Sequence, residues 1–152
     1  MKYSIPPWMQ IVEREFNLDT NEIPGNEDNP NIVKYHQSTT LKATDDETPW
    51  CSSFANYCIQ NCGLGYKGTQ SAQAISWLEY GKSVMGRYGA IVVFDNGNGT
   101  GHVTFFLYAD DEGNIYCIGG NQNNQIQISK YRLENVADFR WPNSFIDQGG
   151  YG

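Results

Sequence analysis

A chain of 152 residues with 39% hydrophobic and 14% aromatic side chains holds enough apolar surface for one cored domain, 1–152, which excludes disorder. A net charge of −7 and a pI near 4.6 exclude the clustered lysines and arginines that nucleic-acid phosphates demand. No apolar run approaches the roughly 18 residues of a membrane span, and residues 1–8 lack a signal-peptide core. The expectation is a monomer made in the cytoplasm without a cleaved signal and not inserted in a membrane.

Helical spacing opens the chain. Pro7-Trp8 starts a helix that carries Trp8, Ile11, Val12, Glu15 and Phe16 at mixed 3–4 spacing and ends before Asn17. Ile23-Pro24-Gly25 marks a turn, and Asn29-Pro30 begins a short second helix through Ile32, Val33 and Tyr35. In the third, Thr48 is a good N-cap and Pro49 suits the first helical position, where no backbone N–H is needed. Cys51, Phe54, Ala55, Cys58 and Cys62 then share one face, and Gly63 supplies the stop. A fourth helix, about 71–80, is expected to bury Ala74, Ile75, Trp77 and Leu78.

From residue 90 the period changes to two. The runs 90–94, 102–108, 115–118, 125–129 and 139–141 are β-branched or aromatic, and turn residues separate them at 95–99, 110–114 and 119–124. Connections this short predict an antiparallel meander, and helices followed by strands predict an α+β fold. The tail from Asn143 reads as loose.

Cys51 carries the strongest chemical signal. At the third position of its helix, a thiolate faces unpaired backbone N–H groups and the positive end of the helix dipole. Those N–H groups also suit an oxyanion. Plain packing explains Cys58 and Cys62 further along the same face. His102 enters a strand after a glycine-rich turn and is the expected base, whereas His36 lies in a polar stretch that reads as a solvated helix end. Gly119-Gly120-Asn121-Gln122 follows the next strand, so Asn121 is placed to accept the imidazole N–H, although Gly-Gly-Asn is also ordinary turn material. With two histidines and no C-x-x-C pair among Cys51, Cys58, Cys62 and Cys117, neither a metal site nor a cofactor is expected, and the cysteines read as free thiols.

Taken together, Thr48-Pro49-Trp50-Cys51-Ser52, Gly101-His102-Val103 and Gly119-Gly120-Asn121-Gln122 resemble the CHAP and NlpC/P60 class of papain-like peptidoglycan amidases and endopeptidases. Pro7-Trp8, Asp28-Asn29-Pro30, Gly68-Thr69, Ser76-Trp77 and Arg140-Trp141-Pro142 extend the resemblance to a small family found in phage lysins and type VI secretion amidase effectors. The resemblance implies N-terminal helices packed on a five- to six-stranded antiparallel sheet, with the nucleophile at a helix N-terminus. It implies Cys51 as nucleophile, His102 as base and Asn121 as orienting group. Gln122 is a second candidate for that third role, because the glutamate common before the asparagine in CHAP enzymes is replaced by glycine here. Trp50, Ser52 and Gln122 become candidate substrate-binding residues, with Trp50 equally readable as core.

The implied function is cysteine-dependent hydrolysis of an amide bond in the cell-wall peptide, used for bacterial or phage lysis. The protein would act at the periplasm or cell wall after secretion-system delivery or phage lysis. A secreted effector of this kind implies a cognate immunity protein. The alternative is a non-catalytic glycan- or protein-binding module with a structural cysteine, presenting Tyr66 and the turn at 96–99. A calcium-stabilised domain built on Asp95, Asn96 and Asn98 is a weaker third reading.

Overall fold

A computed structural model describes residues 5–18, 29–41, 50–122 and 125–143. Three helices precede the sheet. Helix α1 (Pro7–Phe16) and helix α2 (Pro30–His36) both place proline in the first turn, and the Asn29 side chain caps α2 by accepting the Asn31 N–H at 2.8 Å. Both begin where the sequence predicts. Their mutual tie is Glu15, buried on α1, which accepts from Tyr35 Oη at 2.7 Å and pairs with Arg14 and Lys34 at 3.0 and 3.4 Å. A buried carboxylate is tolerable only when satisfied in this way.

Helix α3 (Cys51–Gln60) starts later than the Thr48 cap implies. Thr48 and Pro49 lie outside the described residues, as do the turn at 23–25 and the tail beyond Asn143. The first α3 hydrogen bond runs from Phe54 N–H to Trp50 C=O at 2.9 Å, so Trp50 is the N-cap and Cys51 the first helical residue, not the third. The expected fourth helix is a 3-10 turn instead, Ala74–Glu79, and it buries Ala74 and Trp77 but leaves Ile75 and Leu78 half-exposed. Local side-chain bonds explain the tighter winding. Ser71 Oγ accepts from Gln73 N–H and Ser76 Oγ donates to Gln73 C=O, which competes with a regular α ladder.

The sheet holds β1 (Lys82–Ser83), β2 (Ile91–Asp95), β3 (Gly101–Ala109), β4 (Asn114–Gln122), β5 (Gln125–Arg132) and β6 (Asp138–Trp141). Strands β2 to β5 form the expected antiparallel meander. After a 3-10 turn, Leu133–Asn135, the chain returns and inserts β6 between β1 and β2, giving the order β1-β6-β2-β3-β4-β5. That crossover departs from a pure meander. Ile91–Phe94 are buried throughout because β2 is central and covered, whereas β5 alternates.

The core gathers Trp8, Trp50, Trp77 and Trp141, all at 0% exposure. Trp8 donates its indole N–H to Gly89 C=O at 2.8 Å and meets Trp141 edge-on at 5.0 Å. Burying each large ring contributes about 2–3 kcal/mol. Helix α3 crosses β3 and β4, and this crossing sets the distance between the helix start and the strands that face it.

Gly119 and Gly120, expected in a turn, belong to β4. A Cβ on Gly120 would stand 2.7 Å from Phe54 Cβ and 2.8 Å from the Trp50 ring, and one on Gly119 would collide with Thr104 Oγ1. The double glycine is therefore a close approach of β4 to β3 at Gly119 and to the start of α3 at Gly120, rather than a hairpin.

Candidate active site

The geometry begins at the first turn of α3. Cys51 is 7% exposed, and the backbone N–H groups of Val103, then of Ser52 and of Cys51 itself, lie close enough to its thiol to favour the thiolate. The Val103 N–H belongs to the peptide that follows His102, so the packing of helix α3 on strand β3 sets the thiol beside the residue next to the expected base. Burial pushes the thiol above its ordinary range, and the three N–H groups pull it part of the way back. The helix-start position alone predicted a lowered thiol pKa. Burial reverses that direction.

His102 is half-buried on β3, opposite Phe94 of β2. Burial lowers its pKa, opposed by the hydrogen bond with Gln122. Two groups stand at its Nε2: Gln122 Oε1 at 3.2 Å and Tyr131 Oη at 3.2 Å. Beside the ring opens a cavity of about 380 Å³ lined by Phe94, Asp95, Asn96, His102, Tyr131 and Asn135.

The direction of the Gln122 amide follows from its other end. Its Nε2 donates to the backbone carbonyls of Gln127 at 2.6 Å and Cys117 at 3.3 Å, and carbonyls only accept. The atom facing His102 is therefore the oxygen, which also only accepts. His102 Nε2 must carry the hydrogen, leaving Nδ1 as the basic nitrogen. With the thiol pKa raised and the imidazole pKa lowered, the resting pair is neutral thiol and neutral imidazole near pH 7.

Asn121 does not take the place expected of it. Among the described residues the partners of His102 Nε2 are Gln122 and Tyr131. Asn121 has a left-handed backbone, φ 56°, inside the register shift between Gly119 and Gln122. An extra residue in one strand exchanges the faces of its neighbours, so Gln122 turns to the ring in its stead.

Neither Trp50 nor Ser52 is placed to bind substrate. Trp50 is 0% exposed, stacked on Tyr35 at 6.1 Å. Ser52 is also 0% exposed: its Oγ donates to Ser71 C=O at 2.7 Å and accepts the Trp77 indole N–H at 2.9 Å. Together with Asn56 and Gln60, one and two turns on, it clamps the segment beside the helix. Asn56 Oδ1 accepts from the N–H of Thr69 and Gln70 at 2.8 and 3.0 Å, and Gln60 Nε2 donates to Lys67 C=O at 2.9 Å. Gln122 binds histidine rather than open space.

His36, expected in solvent, is 0% exposed and bonds Ser53 Oγ through Nδ1 at 2.8 Å, because α2 packs on α3. Tyr131 was missed by sequence reasoning. The signal was present, since Gln125, Gln127, Ser129 and Tyr131 recur at every second position and share one face of β5.

The other readings lose support. Tyr66 packs half-buried against Trp8, at 6.4 Å between rings, and is no free binding surface. In the 96–99 turn, Asp95 Oδ1 accepts Gly97 N–H at 2.9 Å and Asn98 Oδ1 accepts Thr100 N–H at 3.2 Å, so both side chains serve the loop itself. Among the described residues no group of three or more His, Cys, Asp or Glu is placed to hold a metal ion. All four cysteines are free thiols. No helix among the described residues is long and apolar enough to cross a membrane.

The family model for the CHAP domain matches residues 43–121, more than half of the chain. That span holds Cys51 and His102 and stops one residue before Gln122. No curated protein matches the sequence.

Proposed function

This chain belongs to the CHAP domain family, whose members are peptidoglycan hydrolases of amidase type with a papain-like fold, and from that premise we propose that it is a cysteine-dependent hydrolase of the cell-wall peptide. The single observation that carries the reading is a cysteine at the start of α3 whose thiol faces the N–H of Val103, the residue next to a histidine whose Nε2–H is held by Gln122. In this assignment Cys51 is the nucleophile, His102 the base and Gln122 the orienting group in place of Asn121.

The step is acyl transfer. As Sγ attacks the amide carbon, its proton passes to His102 Nδ1, and the C=O electrons move to the oxygen. The N–H groups at the start of α3 that lie by the thiol become donors to the resulting oxyanion as the sulfur moves onto carbon. Collapse expels the amine, which takes the Nδ1 proton, and water then releases the acyl group from sulfur by the reverse sequence. Because the resting pair is neutral, proton transfer accompanies attack rather than preceding it. His102⁺ gains from the Gln122 oxygen at the moment its charge appears.

The proposal extends to use. A lytic role at the cell wall, after phage lysis or secretion-system delivery, fits a peptidoglycan hydrolase. An effector with this activity would be held in check by a cognate immunity protein in the cell that makes it. One observation favours the alternative binding module: a thiol only 7% exposed with a raised pKa is what a structural cysteine shows. A digest of purified peptidoglycan separates the two, with fragments identified by mass. Wild-type protein should release new amine and carboxyl termini, and Cys51→Ala should release none; fragments from both proteins would remove Cys51 from the chemistry.

A further inference from the structure

Tyr131 lies 29 positions beyond His102, outside the matched span, yet its hydroxyl oxygen stands 3.2 Å from the imidazole Nε2. The rings of His102 and Tyr131 are 5.8 Å apart, and Phe94 braces the tyrosine at 4.8 Å. The phenol is thus held by packing on one side and by its strand on the other. We propose that Tyr131 is a second positioning residue for His102, its phenol oxygen sharing the Nε2–H with Gln122. The inference rests on the cysteine–histidine reading and adds a residue to it.

The direction of the hydrogen follows from Gln122. If Tyr131 donated to a bare Nε2, the lone pair there would face the Gln122 oxygen, and the two would repel. Only a protonated Nε2 satisfies both neighbours, so both oxygens accept. Burial raises the phenol pKa, the neighbouring Cys117 and Cys51 thiols add to the rise and the Ser129 hydroxyl opposes it, so the phenol stays neutral. A neutral oxygen beside Nε2–H holds the ring plane when the imidazole is neutral. It holds it more strongly once Nδ1 takes the thiol proton and the ring becomes a cation. The titratable groups around the ring are Cys51 from α3, Asp95 at the end of β2 and Tyr131 from β5, with Cys117 of β4 behind the phenol.

Tyr131→Phe keeps the ring that packs on Phe94 and removes only the oxygen. The full chain is tested by nitrogen-15 NMR of His102, assigned by loss of its signal in His102→Gln, and by the pH profile of peptidoglycan hydrolysis. Expected results are a His102 pKa lowered further and a kcat reduced about 2- to 10-fold with KM unchanged, the worth of one hydrogen bond to a group that becomes charged. The acid limb of the profile should move down with the imidazole. A purely packing role would move neither pKa nor profile, so an unshifted His102 in a folded Tyr131→Phe overturns the proposal. Should that variant fail to fold, the wild-type spectrum decides: a neutral ring protonated at Nε2 supports the shared acceptor, and one protonated at Nδ1 refutes it. The NMR result is independent of hydrolysis, so an active Cys51→Ala would remove the catalytic reading while leaving the hold on the ring to be judged by the pKa.

Discussion

The amide of Gln122 points its oxygen at His102 Nε2, 3.2 Å away, because two backbone carbonyls claim its nitrogen. The orientation of one amide therefore sets which imidazole nitrogen is free to act as a base. Neither carbonyl can accept from an amide turned the other way round, so flipping it would leave two acceptors unmade and an N–H facing the ring. The tautomer is built into the β4–β5 hairpin rather than chosen by the histidine.

Gln122→Ala should accordingly lower kcat by about 10- to 1000-fold with little change in KM, since both reacting groups remain but the ring is no longer held. Asn121→Gly should behave like wild type, because glycine adopts φ 56° without strain. Asn121→Ala should cost about 1 kcal/mol of stability for the left-handed backbone while keeping most of its activity. Steady-state kinetics on the three variants check the assignment. A crippled Asn121→Gly beside an unaffected Gln122→Ala would return the orienting role to Asn121.

Much of this arrangement could be read from the chain, and the exceptions have physical causes. Pro7 and Asn29-Pro30 mark helix starts through local constraints that tertiary packing does not override, so α1 and α2 fall where expected. The strand pattern is local too. The face that Gln122 presents, in contrast, depends on a bulge whose left-handed residue is asparagine rather than glycine, and Gly119-Gly120 reads as a turn unless Thr104 of β3 and the start of α3 are known to press on it. Burial of Trp50 and Ser52 is likewise a property of what α3 packs against. The partnership of Tyr131 with His102 spans 29 residues and joins β5 to β3 across the intervening β4, and although period-2 patterning places Tyr131 on a face it does not name that partner.

The thiol should alkylate slowly below neutral pH and faster as pH rises, because burial raises its pKa and no preformed ion pair holds it as thiolate. Iodoacetamide labelling of wild type against Cys51→Ser, resolved by peptide mass, measures this. A labelling rate that stays fast and flat down to pH 5 would mean an existing thiolate–imidazolium pair and would contradict the neutral ground state.

His102 gives stability and activity the same acid dependence. Its folded pKa lies below the ordinary histidine value of 6.5, so as pH falls from neutral the unfolded chain takes up the proton first. The contribution of the neutral ring is fully present above pH 6.5 and is lost as pH falls toward the folded pKa. Hydrolysis fails as the folded ring itself protonates, since a protonated Nδ1 cannot accept the thiol proton. Melting temperatures of His102→Gln and wild type between pH 5 and 8 should converge as pH falls. Parallel curves across that range would show that the ring is not buried neutral.

Gly120→Ala tests the close approach of β4 to α3. Its new Cβ would meet Phe54 Cβ at 2.7 Å and the Trp50 ring at 2.8 Å, and neither neighbour is the loose end of a flexible chain. Overpacking of this kind costs about 1–3 kcal/mol. Relief by a shift of the strand would carry Gln122 away from His102, so activity should fall by more than the stability loss explains. Chemical denaturation together with kinetics measures both, and a variant as stable and active as wild type would show that the strand has room to spare.

Ser52→Ala separates a structural serine from a substrate contact. Its hydroxyl donates to the half-buried Ser71 C=O and accepts from the Trp77 indole, which is cut off from water. Removing it leaves the indole N–H without that acceptor, and an unmade buried bond costs about 1–3 kcal/mol. The melting temperature should therefore fall. The segment at Ser71 has further ties, with Asn56 Nδ2 donating to Ser71 C=O at 3.1 Å and Ser71 N–H donating to Thr69 Oγ1 at 3.2 Å, so the clamp loosens without opening. Below the new melting temperature KM should match wild type, because the hydroxyl never reaches substrate. Ser52→Thr adds a methyl group at a fully buried position and should destabilise as well, again with KM unchanged. A raised KM in Ser52→Ala with an unaltered melting temperature would instead make Ser52 the substrate contact that its position next to Cys51 suggests in the sequence.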